Sequence, residues 1–181
     1  MRRLISLLVA LALATCPQAE AARAPAPPEG STVQQGALFE ALVIVVNHSN
    51  PVEDLSLVEL RSIFLGHRSH WANGKRITLV MREPGDPERR TILRDVCGMN
   101  EDQLNTHFIR GLYSGEILTS PKILDTPAGV RRFIFNVPGA IGYLRSSDMD
   151  ASVKAVRLNS LAPDDKGYKL HVRNQETEPN D

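Results

Sequence analysis

The sequence predicts an α/β domain with a partly parallel sheet, and three observations carry that prediction. Runs of β-branched residues alternate along the chain with segments whose apolar residues recur every three or four positions. Capping residues, proline and glycine mark the junctions between them. The 181 residues, 42% hydrophobic and 23% charged, suffice for one folded core and exclude a disordered, collagen-like or polytopic membrane chain.

Before the domain comes a targeting segment. Arg2 and Arg3 precede an apolar run from Leu4 to Ala14, too short for a bilayer span, which needs about 20 residues. Small residues at Ala19 and Ala21 complete the layout of a secretory signal peptide, residues 1–21, cleaved after Ala21. The competing reading is a lipoprotein acylated at Cys16. Residues 22–39, with Pro25, Pro27, Pro28 and Gly30, read as a flexible linker. Residues 40–170 are the expected domain and residues 171–181 a polar tail.

Within the domain, Leu42 to Val46 is a continuous β-branched and aliphatic run, the pattern of a strand buried on both faces. Ser56 with Glu59 forms a capping-box pattern, followed by Leu57, Leu60, Ile63 and Phe64 at helical spacing and a stop at Gly66. Ile77 to Met81 is a second strand. Asp86 caps the next helix with Pro87 at its first position; Ile92, Leu93, Val96 and Cys97 face inward, and Gly98 ends it. Cys97 therefore reads as a buried, inert thiol. Asn100 with Gln103 caps a third helix, whose apolar stripe is Leu104, Phe108 and Ile109. Asp125 or Thr126 caps a fourth, opened by Pro127, with Val130, Phe133, Ile134 and Val137 inward. Pro138-Gly139 breaks it before a strand from Ala140 to Leu144, and Val153 to Leu158 is the last strand.

Three of these stretches together resemble a known family. They are Val45-Val46-Asn47-His48-Ser49-Asn50-Pro51 with the helix ending Ile63-Phe64-Leu65-Gly66; Met81-Arg82-Glu83-Pro84-Gly85; and Pro138-Gly139-Ala140-Ile141-Gly142-Tyr143. In order and spacing they are similar to the substrate-binding proteins of phosphate ABC transporters, of the type II periplasmic-binding-protein fold. The resemblance covers residues 40–158. It implies one periplasmic-binding-protein-like lobe: a mixed, mostly parallel sheet flanked by helices. It makes Trp71 and Tyr143 packing residues.

The same resemblance points to an anion loop. In two-lobed members, Ser-Gly-Thr stands at a helix N-terminus, where free N–H groups and the helix dipole favour an oxyanion. Arg82 matches the family's nearby arginine and Arg89 the one that often follows. Asp86, Pro87 and Glu88 occupy the Ser-Gly-Thr positions. Proline donates no N–H, and two carboxylates oppose a negative ligand. Asp86 is expected to satisfy the helix N–H groups itself, and to pair with Arg90 one turn on. Ser49 and Asn50 follow the first strand; they line the cleft or form a turn, and Asn-Pro favours the turn.

The expected function is a periplasmic or secreted solute-binding-like protein with a degenerate oxyanion site. The alternative is a non-enzymatic interaction module of the cell envelope. The expected ligand is phosphate or another small oxyanion, and the expected partner an ABC transporter or an envelope sensor. No cofactor, metal, nucleic acid or stable membrane insertion is expected: formal net charge is zero, and His67 and His70 lack a converging third ligand. The absence of a nucleophile elbow, zinc-protease helix or phosphate loop argues against an enzyme.

Overall fold

One strand runs against all the others. In a computed structural model, which describes residues 38–174, seven strands form a single mixed sheet. They are β1 (Phe39–Val46), β2 (Asp54–Leu55), β3 (Thr78–Arg82), β4 (Lys122–Leu124), β5 (Ala140–Arg145), β6 (Lys154–Leu158) and β7 (His171–Arg173). The order is β2-β6-β1-β5-β3-β4, with β7 beside the first half of β1. β1 is antiparallel to β5, β6 and β7, whereas β2–β6, β5–β3 and β3–β4 are parallel. Six strands therefore point one way, which gives the mixed, mostly parallel sheet flanked by helices.

The alternation of β1 sorts its side chains onto two cores. Leu42, Ile44 and Val46 join the larger one, with Met81, Ile141 and Tyr143. Over them lie α1 (Leu57–Phe64), α2 (Pro87–Ile92) with its continuation, and α3 (Glu101–Ser114). Val43 and Val45 face the other way, onto Val80, Leu144 and α4 (Pro127–Asn136) through Val130 and Ile134. Both faces of β1 are dry, so it reads as an unbroken aliphatic run rather than an alternating one.

Local signals place the helix ends. Ser56 Oγ accepts the Glu59 N–H while the Glu59 carboxylate accepts the Ser56 N–H, and Asn100 and Gln103 do the same for α3. Thr126, not Asp125, caps α4 through the Gly129 N–H. The helix expected to run from Pro87 to Gly98 divides: α2 passes into a π-helical turn, Leu93–Cys97, closed by left-handed Gly98. Cys97 is buried there.

Three expectations are corrected. Ile109 is 69% exposed: Leu104, Phe108 and Gly111 set the inner face of α3, and Ile109 stands about 100° round the helix from Phe108. The linker assigned to residues 22–39 ends inside β1, which begins at Phe39. The polar tail assigned to residues 171–181 begins with β7, paired to Phe39, Glu40 and Ala41. His171-Val172-Arg173 carries one apolar residue, too little for a strand signal without its partner strand. The signal peptide, Cys16, residues 22–37 and residues 175–181 lie outside the described residues.

Trp71 ties the loop after α1 to the sheet. It is buried, and its Nε1–H donates to the Gly139 carbonyl at 3.0 Å. Gly139 is needed there for close approach: a Cβ would lie 2.0 Å from the Arg76 carbonyl oxygen. Trp71→Ala should cost about 3–5 kcal/mol and lower the melting temperature by about 10 °C or more. Gly139→Ala should cost about 1–3 kcal/mol by forcing the Arg76 backbone aside. Thermal melts followed by circular dichroism check both; a melt superimposable on wild type would refute either account.

Candidate anion site

The turn after β3 brings Arg82, Asp86, Glu88 and Arg89 to one end of the sheet. Gly85 adopts φ 95° in that turn, a left-handed conformation open to glycine. Asp86 stands at the N-cap of α2 with Pro87 behind it, but its side chain makes no capping hydrogen bond. The expected self-capping does not occur. Arg82 lies one turn back, and the Asp86 carboxylate turns to it: Arg82 Nη2 is 2.9 Å from Asp86 Oδ2. This is a charge contact without hydrogen-bond alignment. The expected Asp86–Arg90 side-chain pair is likewise absent; only the Arg90 backbone N–H reaches the Asp86 carbonyl, at 3.0 Å. A carboxylate released from capping goes to the more buried cation, where water competes least.

Arg82 is held from three sides. Its N–H donates to the Tyr143 hydroxyl at 2.9 Å, and its carbonyl accepts from Arg89 Nη1 at 2.8 Å. Its side chain is only 10% exposed, yet Nε and Nη1 have no hydrogen-bond partner. Burial raises the Tyr143 phenol above its ordinary range and keeps it neutral as that acceptor.

Arg89 turns inward from α2. It is buried, and its fork grips Glu101 in the first turn of α3, Nε to Oε2 at 2.9 Å and Nη2 to Oε1. Glu88 is buried too and is held by Arg145 Nε. Arg145 also reaches Glu40 at 3.6 Å and donates to Asn174 Oδ1 at 2.9 Å. Burial alone would raise the Glu40 carboxyl, but hydrogen bonds from Ser147 and Ser146 and the Arg145 charge hold it below its ordinary value. Sequence reasoning missed Glu40, Glu101 and Arg145. The one available signal was the charge at Arg145, closing a strand on the same face as buried Ile141 and Tyr143.

Ser49 and Asn50 lie elsewhere. β1 is antiparallel, so its C-terminal end meets Ile141, at the start of β5. Arg82 lies at the other end of the parallel pair β3–β5. The offset between Ile141 and Leu144 alone is about 10 Å along the strand. The Asn50 N–H bonds the Asn47 carbonyl at 2.9 Å, and Asn50 Oδ1 accepts the Val52 N–H at 3.1 Å, which makes a turn. Asn47 anchors it by donating to the Ile134 and Phe135 carbonyls at the end of α4. Among the described residues no group of three or more His, Cys, Asp or Glu is placed to hold a metal ion.

Comparison with known proteins agrees with this architecture. No family model matches the chain. It is 28% identical over 130 residues to the phosphate-binding protein PstS of Bacillus subtilis, covering 69% of this chain and 38% of that protein. A putative phosphate ABC transporter substrate-binding protein of Clostridium perfringens, solved with bound phosphate, superposes with a TM-score of 0.63 at 23% identity, over 75% of this chain and 54% of that one. An ABC-type phosphate transport receptor of Vibrio cholerae gives 0.57 at 20% identity, over 70% and 49%. The chain thus resembles phosphate ABC transporter substrate-binding proteins, and spans about half or less of the length of these relatives.

Burial pushes the Cys97 thiol up from its ordinary 9.0 to about 12, against the weaker pull of Arg61 and Arg89. The folded state therefore disfavours the thiolate. This contribution to stability is fully present below pH 9 and is lost as pH rises from there towards 12. Cys97 should resist a thiol reagent at pH 8 in the native protein and react fully in urea. Urea midpoints should fall between pH 8 and pH 10, and less so in Cys97→Ala. Rapid labelling of native Cys97 would overturn this reading.

Proposed function

We propose that this protein is a non-enzymatic, solute-binding-like component acting alongside a phosphate or related oxyanion uptake system, with a degenerate anion site at Arg82. The observation that carries it is the Arg82 guanidinium. One of its nitrogens lies against Asp86, and two buried nitrogens have no partner. The cation is in place for an oxyanion, and the protein's own carboxylate stands beside it. Glu88 adds a second negative charge, this one buried, where the resembled family has threonine, and Pro87 withholds an N–H. Phosphate binding is therefore weak, because an incoming anion has to displace Asp86 and tolerate Glu88. The sequence reading of residues 1–21 as a signal peptide supports a periplasmic or secreted location. No helix among the described residues is long and apolar enough to cross a membrane.

A second reading, an envelope interaction module, is favoured by the outer face of α3. Ile109 and Tyr113 are exposed there, with Leu112 beside them. On that reading the contacted protein is a transporter or a sensor.

Calorimetry with phosphate at low salt separates the two. Wild type should bind in the millimolar range, and Asp86→Ser should bind about tenfold more tightly, a gain of about 1.4 kcal/mol. Glu88 is left in place, because removing it would strip Arg145 of its partner. Wild-type binding tighter than about 10 µM, worth roughly 7 kcal/mol, would show that the site is not degenerate. No heat from either protein at millimolar phosphate would sink the anion reading and leave the interaction module.

A further inference from the structure

A cleft opens at the other end of the parallel strands from Arg82. Thr78 begins β3 and Lys122 begins β4, and Arg82 closes β3 four residues on, about 13 Å away. The cleft, of about 310 Å³, lies where the loop after α1, the start of these strands and the segment between α3 and β4 meet. Its floor is apolar and consists of Ile63, Leu79, Phe108 and Ile117, all buried. Its charged residues are all cations, Arg68, Arg76 and Lys122, and no carboxylate is among the described residues that line it. Arg68 is paired with Glu59 at 3.3 Å. Arg76 and Lys122 are exposed and have no side-chain partner among the described residues.

Packing fixes both walls. On one side His70 and Arg76 form an antiparallel bridge, and the Ile77 N–H donates to the Ser69 carbonyl at 2.8 Å. The Arg76 carbonyl is pressed against Gly139, where no Cβ fits. On the other side the Ile117 N–H donates to the Gly111 carbonyl at 3.0 Å. The Ile117 side chain fills the space over that glycine, where a Cβ would lie 2.4 Å from Ile117 Cδ1. The backbone N–H groups of Leu118, Thr119 and Ser120 then have no acceptor among the described residues. The Thr78, Thr119 and Ser120 hydroxyls are likewise without a partner there. Two uncompensated cations and a set of free donors thus border an apolar floor. Inorganic phosphate would use the donors alone, whereas an anion with a hydrocarbon body uses donors and floor together.

We propose that this cleft is a second ligand site, for a small organic monoanion whose carboxylate is held between Arg76 and Lys122. Its short hydrocarbon body lies on Ile63, Leu79, Phe108 and Ile117. The site is independent of the Arg82 turn, so either can fail without the other.

Titration of the full chain with hexanoate, followed by backbone amide shifts, tests this. Thr78, Leu118, Thr119 and Ser120 should shift saturably. Acetate and hexanamide should each bind about tenfold more weakly than hexanoate, the first for want of an apolar body and the second for want of charge. Arg76→Gln/Lys122→Gln should weaken hexanoate about tenfold. Arg90→Gln, which removes a cation from α2 instead, should leave it unchanged. Equal affinity for hexanamide would mean an apolar groove that does not read charge, and equal affinity for acetate a cationic surface without a floor; either overturns the proposal. So would hexanoate binding indifferent to the double substitution, shifts confined to the Arg82 turn, or no saturable shift up to about 50 mM hexanoate. The acetate and hexanamide comparisons use the unaltered chain, so they stand even if the double variant unfolds.

Discussion

Three arginines at one end of the sheet are taken largely out of water, and much of the surrounding structure follows from the need to neutralise them. Arg82, Arg89 and Arg145 have side chains 10%, 4% and 17% exposed. An unpaired charge at such depth is strongly unfavourable, so each arginine selects a carboxylate. Arg89 takes Glu101 and so joins α2 to α3. Arg145 takes Glu88 and Glu40 and joins β5 to α2 and β1. Arg82 takes Asp86 and is left incomplete, with two donors unmet. The incompleteness falls in the turn proposed above as the anion site.

The direction of β1 decides what can belong to that loop. Had β1 run parallel to β3 and β5, the turn carrying Ser49 and Asn50 would have opened beside Arg82. Antiparallel pairing with Ile141 at its C-terminal end sends that turn to the opposite end of the sheet. There Asn47 satisfies the last carbonyls of α4 and holds the turn closed. The Asn47-His48-Ser49-Asn50-Pro51 stretch, one of the features shared with phosphate-binding proteins, is accounted for here by backbone hydrogen bonding.

Two clusters of cations differ in kind. At the Arg82 turn, charge is compensated within the packed structure by residues close in sequence or directly across the fold. Where α2 meets β7, Arg90, Arg94 and Arg173 gather on the surface, with only Arg94 paired to a carboxylate, Asp95. α2 stands between them: Glu88 and Arg89 face inward to the first, and Arg90 faces outward to the second. Three consecutive charged residues are thus divided between two sites by the 100° step of the helix.

Local chemistry made much of this fold legible. The β-branched run of β1, the capping boxes at Ser56 and Asn100, Pro87 and Pro127 at helix starts, and Gly98 at a helix end act over one or two turns, so the sequence alone determined those elements. It also determined which loop carries Arg82, through the resemblance to phosphate-binding proteins. It did not determine where charged side chains go. Asp86 read as a cap because capping is the short-range use of aspartate at that position; the tertiary structure placed a buried guanidinium nearby and redirected it. Arg89 and Glu88 read as parts of an anion loop because neither a motif nor helical periodicity records what packs above a helix. Arg145, Glu40 and Glu101 are separated from their partners by 57, 105 and 12 residues. β7 was invisible because three residues with one valine become a strand only against Phe39–Ala41. Long-range pairing of charge and of backbone hydrogen bonds depends on which segments meet, and only the folded chain decides that.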